Sequence, residues 1–112
     1  MAALTGTTPT RAGTSASPLS VAATDTISAA LVGVNGCLLE IINGNASADA
    51  MTISDAGASA AGTPAVSYPA SVTAGTSQVF KIVPSQVNPS TGLVTITHGT
   101  TPTVTYKLFV LG

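Results

Sequence analysis

Charged side chains are nearly absent from this sequence. Arg11, Asp25, Glu40, Asp49, Asp55, Lys81 and Lys107 are the whole set, 6% of 112 residues. An ordinary globular domain carries about 25%. Surface charge normally keeps soluble proteins apart, so this scarcity suits a subunit that works assembled. A neutral, Thr-rich solitary β-domain is the alternative. Three basic residues and a net charge of −1 leave no basic patch, which argues against a nucleic-acid partner. There is no Trp, and Tyr68, Phe80, Tyr106 and Phe109 are the only aromatic residues. That is poor material for a sugar-stacking platform. The single cysteine, Cys37, excludes an intramolecular disulfide and is compatible with synthesis in a reducing compartment. Long apolar runs are missing too. The longest, residues 29–42, is interrupted by Asn35, Gly36 and Glu40 and is too short to span a bilayer as a helix. The opening residues lack a charged n-region and an apolar core, so they read as no signal peptide.

What is present is β-pattern. Residues 77–84, 92–98 and 103–111 alternate apolar and polar side chains and are rich in Val, Ile, Thr, Tyr and Phe. Successive side chains on a pleated strand face opposite sides, so period two reads as strand. Asn88-Pro89-Ser90-Thr91-Gly92 and Gly99-Thr100-Thr101-Pro102 supply turn residues between them. The expectation is an antiparallel meander with one face inward. Upstream, residues 18–23, 25–32, 37–42, 48–54 and 65–69 read as further short strands, the last stopped by Pro69. Residues 25–32 also fit a helix capped by Thr24 or Asp25; strand is the reading taken. Asn35-Gly36 marks a tight turn.

The fold class is therefore all-β: a single β-sandwich or jelly roll of about seven or eight short antiparallel strands with an extended N-terminal arm. The arm is residues 1–17 and the sandwich 18–112. Glu40 sets the outward face of its strand, and Leu38 and Ile42 beside it suggest that this face is partly covered. The expected core is Cys37, Leu39, Ile41, Met51, Ile53, Phe80, Ile82, Val94, Ile96, Val104, Tyr106, Leu108 and Val110. The arm is rich in Thr, Ser, Ala, Gly and Pro and contains none of these. It should need a surface to dock on, since it buries too little to offset its ordering entropy.

Candidate chemistry is sparse. His98 shares a face with Val94 and Ile96 at a strand end, where a packing or hydrogen-bonding role is far commoner than catalysis, which needs a nucleophile or an orienting partner. A Cys37–His98 dyad is open, but nothing local activates the thiol. Asp49 and Asp55 flank one strand and could touch calcium, yet that ion takes six to eight oxygens and four scattered carboxylates supply few. No metal site, cofactor or small-molecule substrate is expected. Lys81 and Lys107 interrupt outward faces, either as solvated guards of strand edges or as contacts to an acidic partner.

The run Val72-Thr73-Ala74-Gly75-Thr76-Ser77-Gln78-Val79-Phe80-Lys81-Ile82-Val83-Pro84, then Val87-Asn88, then Thr91-Gly92-Leu93-Val94-Thr95-Ile96-Thr97, resembles the capsid decoration (cement) proteins of tailed bacteriophages. The strand from Leu38 to Asn43 with its Asn-Gly turn fits the same pattern, which covers about half of the chain. The resemblance implies a non-enzymatic β-sandwich or jelly-roll protein of the virion. Such proteins bind the major capsid protein on the outer lattice, often as homotrimers, after synthesis in the host cytoplasm. On this reading Thr8, Pro9, Thr10 and Arg11 of the arm, with Lys81 and Lys107, are the candidate capsid or subunit contacts. A neck, tail or head-fibre subunit and a ligand-binding β-sandwich module are the other classes in view.

Overall fold

The alternating segments pair into two sheets packed face to face. The computed structural model describes residues 2–54 and 68–111. In chain order its elements are β1 (Ala2–Ala3), β2 (Leu19–Ser20), β3 (Thr24–Ser28), α1 (Ala29–Val32), β4 (Cys37–Asn43), β5 (Asp49–Ile53), β6 (Tyr68–Val72), β7 (Ser77–Ile82), β8 (Leu93–Thr97) and β9 (Val104–Val110). One sheet has the order β1-β3-β8-β5-β6 and the other β2-β9-β4-β7. Every strand pair is antiparallel except β1 with β3. The protein is thus nearly all β, in a sandwich arrangement, with nine strands among the described residues.

The core lies between the sheets and follows the alternation. Cys37, Leu39 and Ile41 are fully buried on β4, with Leu38, Glu40 and Ile42 less so on the opposite face. Of the rest of the expected set, Met51, Ile53, Ile82, Val94, Ile96, Val104, Tyr106 and Leu108 are buried as well. Phe80 and Val110 are only half-buried, although their register opposite Leu39 and Cys37 puts them on the inward face. Ile27, Val32, Val72 and Leu4 are core residues that alternation alone did not supply.

The meander expectation is corrected. β7 pairs with β4, β8 lies between β3 and β5 in the other sheet, and β9 returns to pair with β4 and β2. A 3₁₀ turn at Pro84–Gln86 and the Asn88–Leu93 bridge carry the chain across the sandwich. Alternation fixes which face a strand buries, not which strand lies beside it. Residues 25–32 are also divided. Thr24–Ser28 is strand, whereas Ala29–Val32 forms one helical turn ended by Gly33 at φ +62°. The two alanines favour helix, and glycine takes this positive φ, with ψ −160°, without the Cβ clash another residue would meet. Pro69 sits inside β6 rather than ending it, opposite Thr52. β6 is an edge strand, where a missing N–H is tolerated. The expected loop at 55–63 and residues 65–67 lie outside the described residues.

The N-terminal residues belong to the body in part. Leu4 is buried among the core residues, so the expectation of no core residue in the arm is corrected. Ala2 and Ala3 pair with Asp25 and Thr26, and the Leu4 N–H donates to the Thr26 carbonyl. Thr7 exchanges backbone hydrogen bonds with β9, donating to the Leu108 carbonyl and accepting from the Val110 N–H. These groups are engaged by the protein's own sheets and are not free to pair with another chain. The arm is also not extended throughout. The Gly13 N–H donates to the Thr10 carbonyl, closing a turn with Gly13 at φ +94°.

Candidate functional site

The outer face of the four-stranded sheet collects the surface residues singled out in the sequence. Because Cys37, Leu39 and Ile41 face the core, Leu38, Glu40 and Ile42 face outward. Strand register then builds three cross-strand rows. Leu38 lies between Lys81 and Phe109, Glu40 between Val79 and Lys107, and Ile42 between Ser77 and Thr105. Val79 is 58% exposed, and Lys81 is exposed beside it. The face therefore mixes four apolar side chains with two lysines and one carboxylate. Lys107 and Glu40 are direct cross-strand neighbours, an arrangement that stabilises a sheet; Lys81 has Leu38 opposite it.

Arg11 is elsewhere. It occupies the exposed turn between Thr10 and Gly13, with Thr8 and Pro9 leading into it. Thr10 Oγ1 donates to the Gly13 carbonyl at 3.1 Å, and Thr14 Oγ1 donates to the Thr8 carbonyl at 3.4 Å. These local bonds present Arg11 at the tip of the turn. They engage Thr8 and Thr10 within the turn itself.

The charges that do not reach the surface are as informative. Asp25 and Asp49 are both 0% exposed, and His98 stands between them at 7%. His98 Nδ1 contacts Asp49 Oδ2 at 2.7 Å, and Nε2 contacts Asp25 Oδ2 at 3.3 Å. Asp49 Oδ1 accepts from the backbone N–H groups of Gly99 at 2.9 Å and Thr100 at 3.1 Å. Asp25 accepts from the Ala22 N–H through both oxygens at 3.2 Å. Burial pushes the Asp25 carboxyl above the ordinary aspartate value, opposed by the Ala22 N–H and by His98. The cluster joins β3, β5 and the end of β8, three neighbouring strands of one sheet.

The expected calcium contact of Asp49 with Asp55 meets a different arrangement. The Asp49 carboxylate is bonded to His98, Gly99 and Thr100, and Asp55 lies outside the described residues. Among the described residues no group of three or more His, Cys, Asp or Glu side chains is disposed to hold a metal ion. The two carboxylates meet opposite nitrogens of one ring, which leaves no common point for a cation. Cys37 is buried, and burial pushes its thiol upward, which favours the unreactive protonated form. Both ring nitrogens of His98 are taken by carboxylates, so neither serves Cys37. The arrangement holds strands together, and among the described residues both imidazole nitrogens face carboxylates and neither faces a nucleophile.

Alternation places His98 correctly, as a hydrogen-bonding residue on the Val94–Ile96 face, but does not supply its partners. A usable signal exists. Asp25 stands two residues before Ile27, Asp49 two before Met51, and His98 two after Ile96. All three share the inward parity of a strand, and buried ionisable groups require partners. No protein-family model, curated protein or solved structure matches the chain.

Proposed function

We propose that the protein is a non-enzymatic structural subunit of a phage virion that binds the outer surface of the capsid and stabilises it, working as a homotrimer. One observation carries this reading: the sign of the exposed charge. The chain is formally −1, yet Asp25 and Asp49 are buried and engaged. What the described surface presents is Arg11, Lys81 and Lys107 against Glu40 alone. Two of those cations sit on a partly apolar sheet face. A face that mixes exposed cations with apolar side chains suits contact with a protein surface that carries carboxylates. Lys81 and Lys107 supply charge complementarity, and Leu38, Ile42, Val79 and Phe109 supply apolar contact area. The resemblance in the β7–β8 region supports the capsid as that surface.

The test is co-sedimentation of the purified protein with emptied capsids of the phage that encodes it, with sedimentation analysis of the free protein. Saturable binding and a trimer support the reading. A stable monomer that ignores capsids overturns it.

A further inference from the structure

The four-stranded sheet ends on two open edges, β7 and β2. The ladders decide which backbone groups each edge presents. The Asn43 N–H donates to the Thr76 carbonyl, in line with the β4–β7 register. Bonded pairs alternate along an antiparallel ladder. Gln78, Phe80 and Ile82 therefore turn their N–H and C=O groups toward β4, and Ser77, Val79 and Lys81 turn theirs to the open side. At the other edge the Val21 N–H donates to the Val104 carbonyl, in line with the β2–β9 register. Leu19 is then bonded to β9, while Ser20 presents its N–H and C=O groups outward, with the Pro18 carbonyl beside it. Among the described residues no backbone group pairs with either row.

The side chains at the two edges match as well. Leu19 is 46% exposed and Val79 58%. Leu19 stands opposite Tyr106 and Phe80 opposite Leu39, so both lie on the inward face, at the two margins that the other sheet leaves partly uncovered. Ser20 and Val79 share the outer face. Strand direction agrees too. β2 with β9, β9 with β4 and β4 with β7 are all antiparallel, so β2 and β7 run in opposite directions. A rotation about an axis along the strands preserves those directions and sets β7 of one copy antiparallel to β2 of the next. Head-to-tail contacts of this kind close into a ring when the rotation allows it.

We propose that copies of this chain join head to tail through their sheet edges, β7 of one against β2 of the next. The closing number, three, rests on the trimer reading above; the joint itself rests on register and exposure. With Ser20 opposite Val79 of the next copy, those two residues exchange a pair of hydrogen bonds, and the Lys81 N–H donates to the Pro18 carbonyl. Leu19 then lies directly opposite Phe80, which continues the apolar layer across the joint. Lys and Pro commonly guard strand edges, but neither blocks this one. The Lys81 side chain stands on the outer face rather than over the edge, and Pro18 contributes only an acceptor. A twofold pairing of β7 with β7 covers one edge and leaves Leu19 exposed.

The experiment is disulfide trapping in the full chain. Bonded antiparallel neighbours have Cα atoms about 5.5 Å apart, a span that a disulfide bridges. Within one copy Ser20 and Val79 are three strand spacings apart, about 14 Å, and cannot be bridged. Ser20→Cys and Val79→Cys are made singly and together and treated with oxidised glutathione; buried Cys37 is common to all. The double variant should give linked dimer and trimer, and a mixture of the two single variants a mixed dimer. Neither single variant should cross-link alone. In the wild-type protein the Ser20 and Val79 amides should exchange about tenfold more slowly in concentrated than in dilute solution, because pairing protects them. Dimers of Val79→Cys alone mean a twofold β7 joint and overturn the proposal. A wild-type trimer whose double variant does not cross-link overturns the edge joint and leaves the trimer reading standing; a monomer without cross-links overturns both. Linked chains longer than three keep the joint and overturn the closed trimer. Protection of the Val79 amide only when capsids are added assigns the edge to a capsid strand and overturns the joint.

Discussion

Asp49 is the residue on which the cluster rests. It accepts from His98 Nδ1 and from the Gly99 and Thr100 N–H groups at once. Removing one member of a buried pair leaves the others without their partner, a change that typically costs about 3–5 kcal/mol. Asp49→Ala should therefore lower the free energy of unfolding by that order, read as a lower denaturant midpoint with the slope unchanged if the fold survives. Asp49→Asn should cost less, because its side-chain oxygen still accepts from both backbone donors. Asp25 makes a separate, pH-dependent prediction. Its carboxyl is raised in the folded state, so the native protein binds more protons than the unfolded chain between the two values. That contribution to stability is fully present below the unfolded value near 4 and fades as pH rises through the folded one. Denaturation curves from pH 3.5 upward should show a declining Asp25-dependent component, absent in Asp25→Asn. A wild-type minus variant difference that is flat with pH would remove this account. His98 shows what was legible at this scale. Its parity with Ile96 gave its orientation, while Asp25 and Asp49, 73 and 49 positions earlier in the chain, meet it only because β8 lies between β3 and β5. Strand order is a long-range property that no local pattern encodes.

Elements were legible where alternation was strict and illegible where they were short. β4, β5, β8 and β9 each repeat the inward parity for several residues, and their buried faces follow from it, whereas edge strand β7 fully buries only Ile82. β1 is two alanines, with no pattern to read. Its importance comes from its neighbour in the chain, Leu4, which inserts into the core at 6% exposure. Gly6 passes so close to Leu31, Leu108 and Val110 that an added Cβ would crowd the Val110 methyl. The N-terminal residues thus close the end of the sandwich. Leu4→Ala removes a buried side chain, a change worth about 2–5 kcal/mol in a core. The expected result is a lower unfolding temperature together with faster exchange at the Thr7 amide, since the segment is tied down on both sides of Leu4. Unchanged stability would mean that the segment is carried by its backbone pairing alone.

At the scale of the whole molecule, two aspartates are buried in the five-stranded sheet while the outer face of the four-stranded sheet carries two lysines and one glutamate, which gives the proposed attachment a direction. If the face of Leu38, Lys81, Val79 and Lys107 meets the capsid, altering it should weaken binding without altering the fold. Val79 and Lys81 are exposed on edge strand β7, so Val79→Glu and Lys81→Glu leave the core untouched. Each should reduce capsid co-sedimentation by at least tenfold at low salt. The loss from Lys81→Glu should shrink as salt is raised, because screening weakens an exposed charge contact, whereas the loss from Val79→Glu should persist. Arg11 is tested separately. Deleting residues 1–17 would remove Leu4 and β1 along with Arg11, and so confound attachment with folding. Arg11→Ala keeps the Thr10–Gly13 turn and its hydrogen bonds, because those bonds use Thr10, Thr14 and backbone atoms. A weakening of about threefold with unchanged melting would assign the turn a contact role. Full capsid binding by all three variants, each folded, would move the attachment surface away from both the turn and the four-stranded sheet.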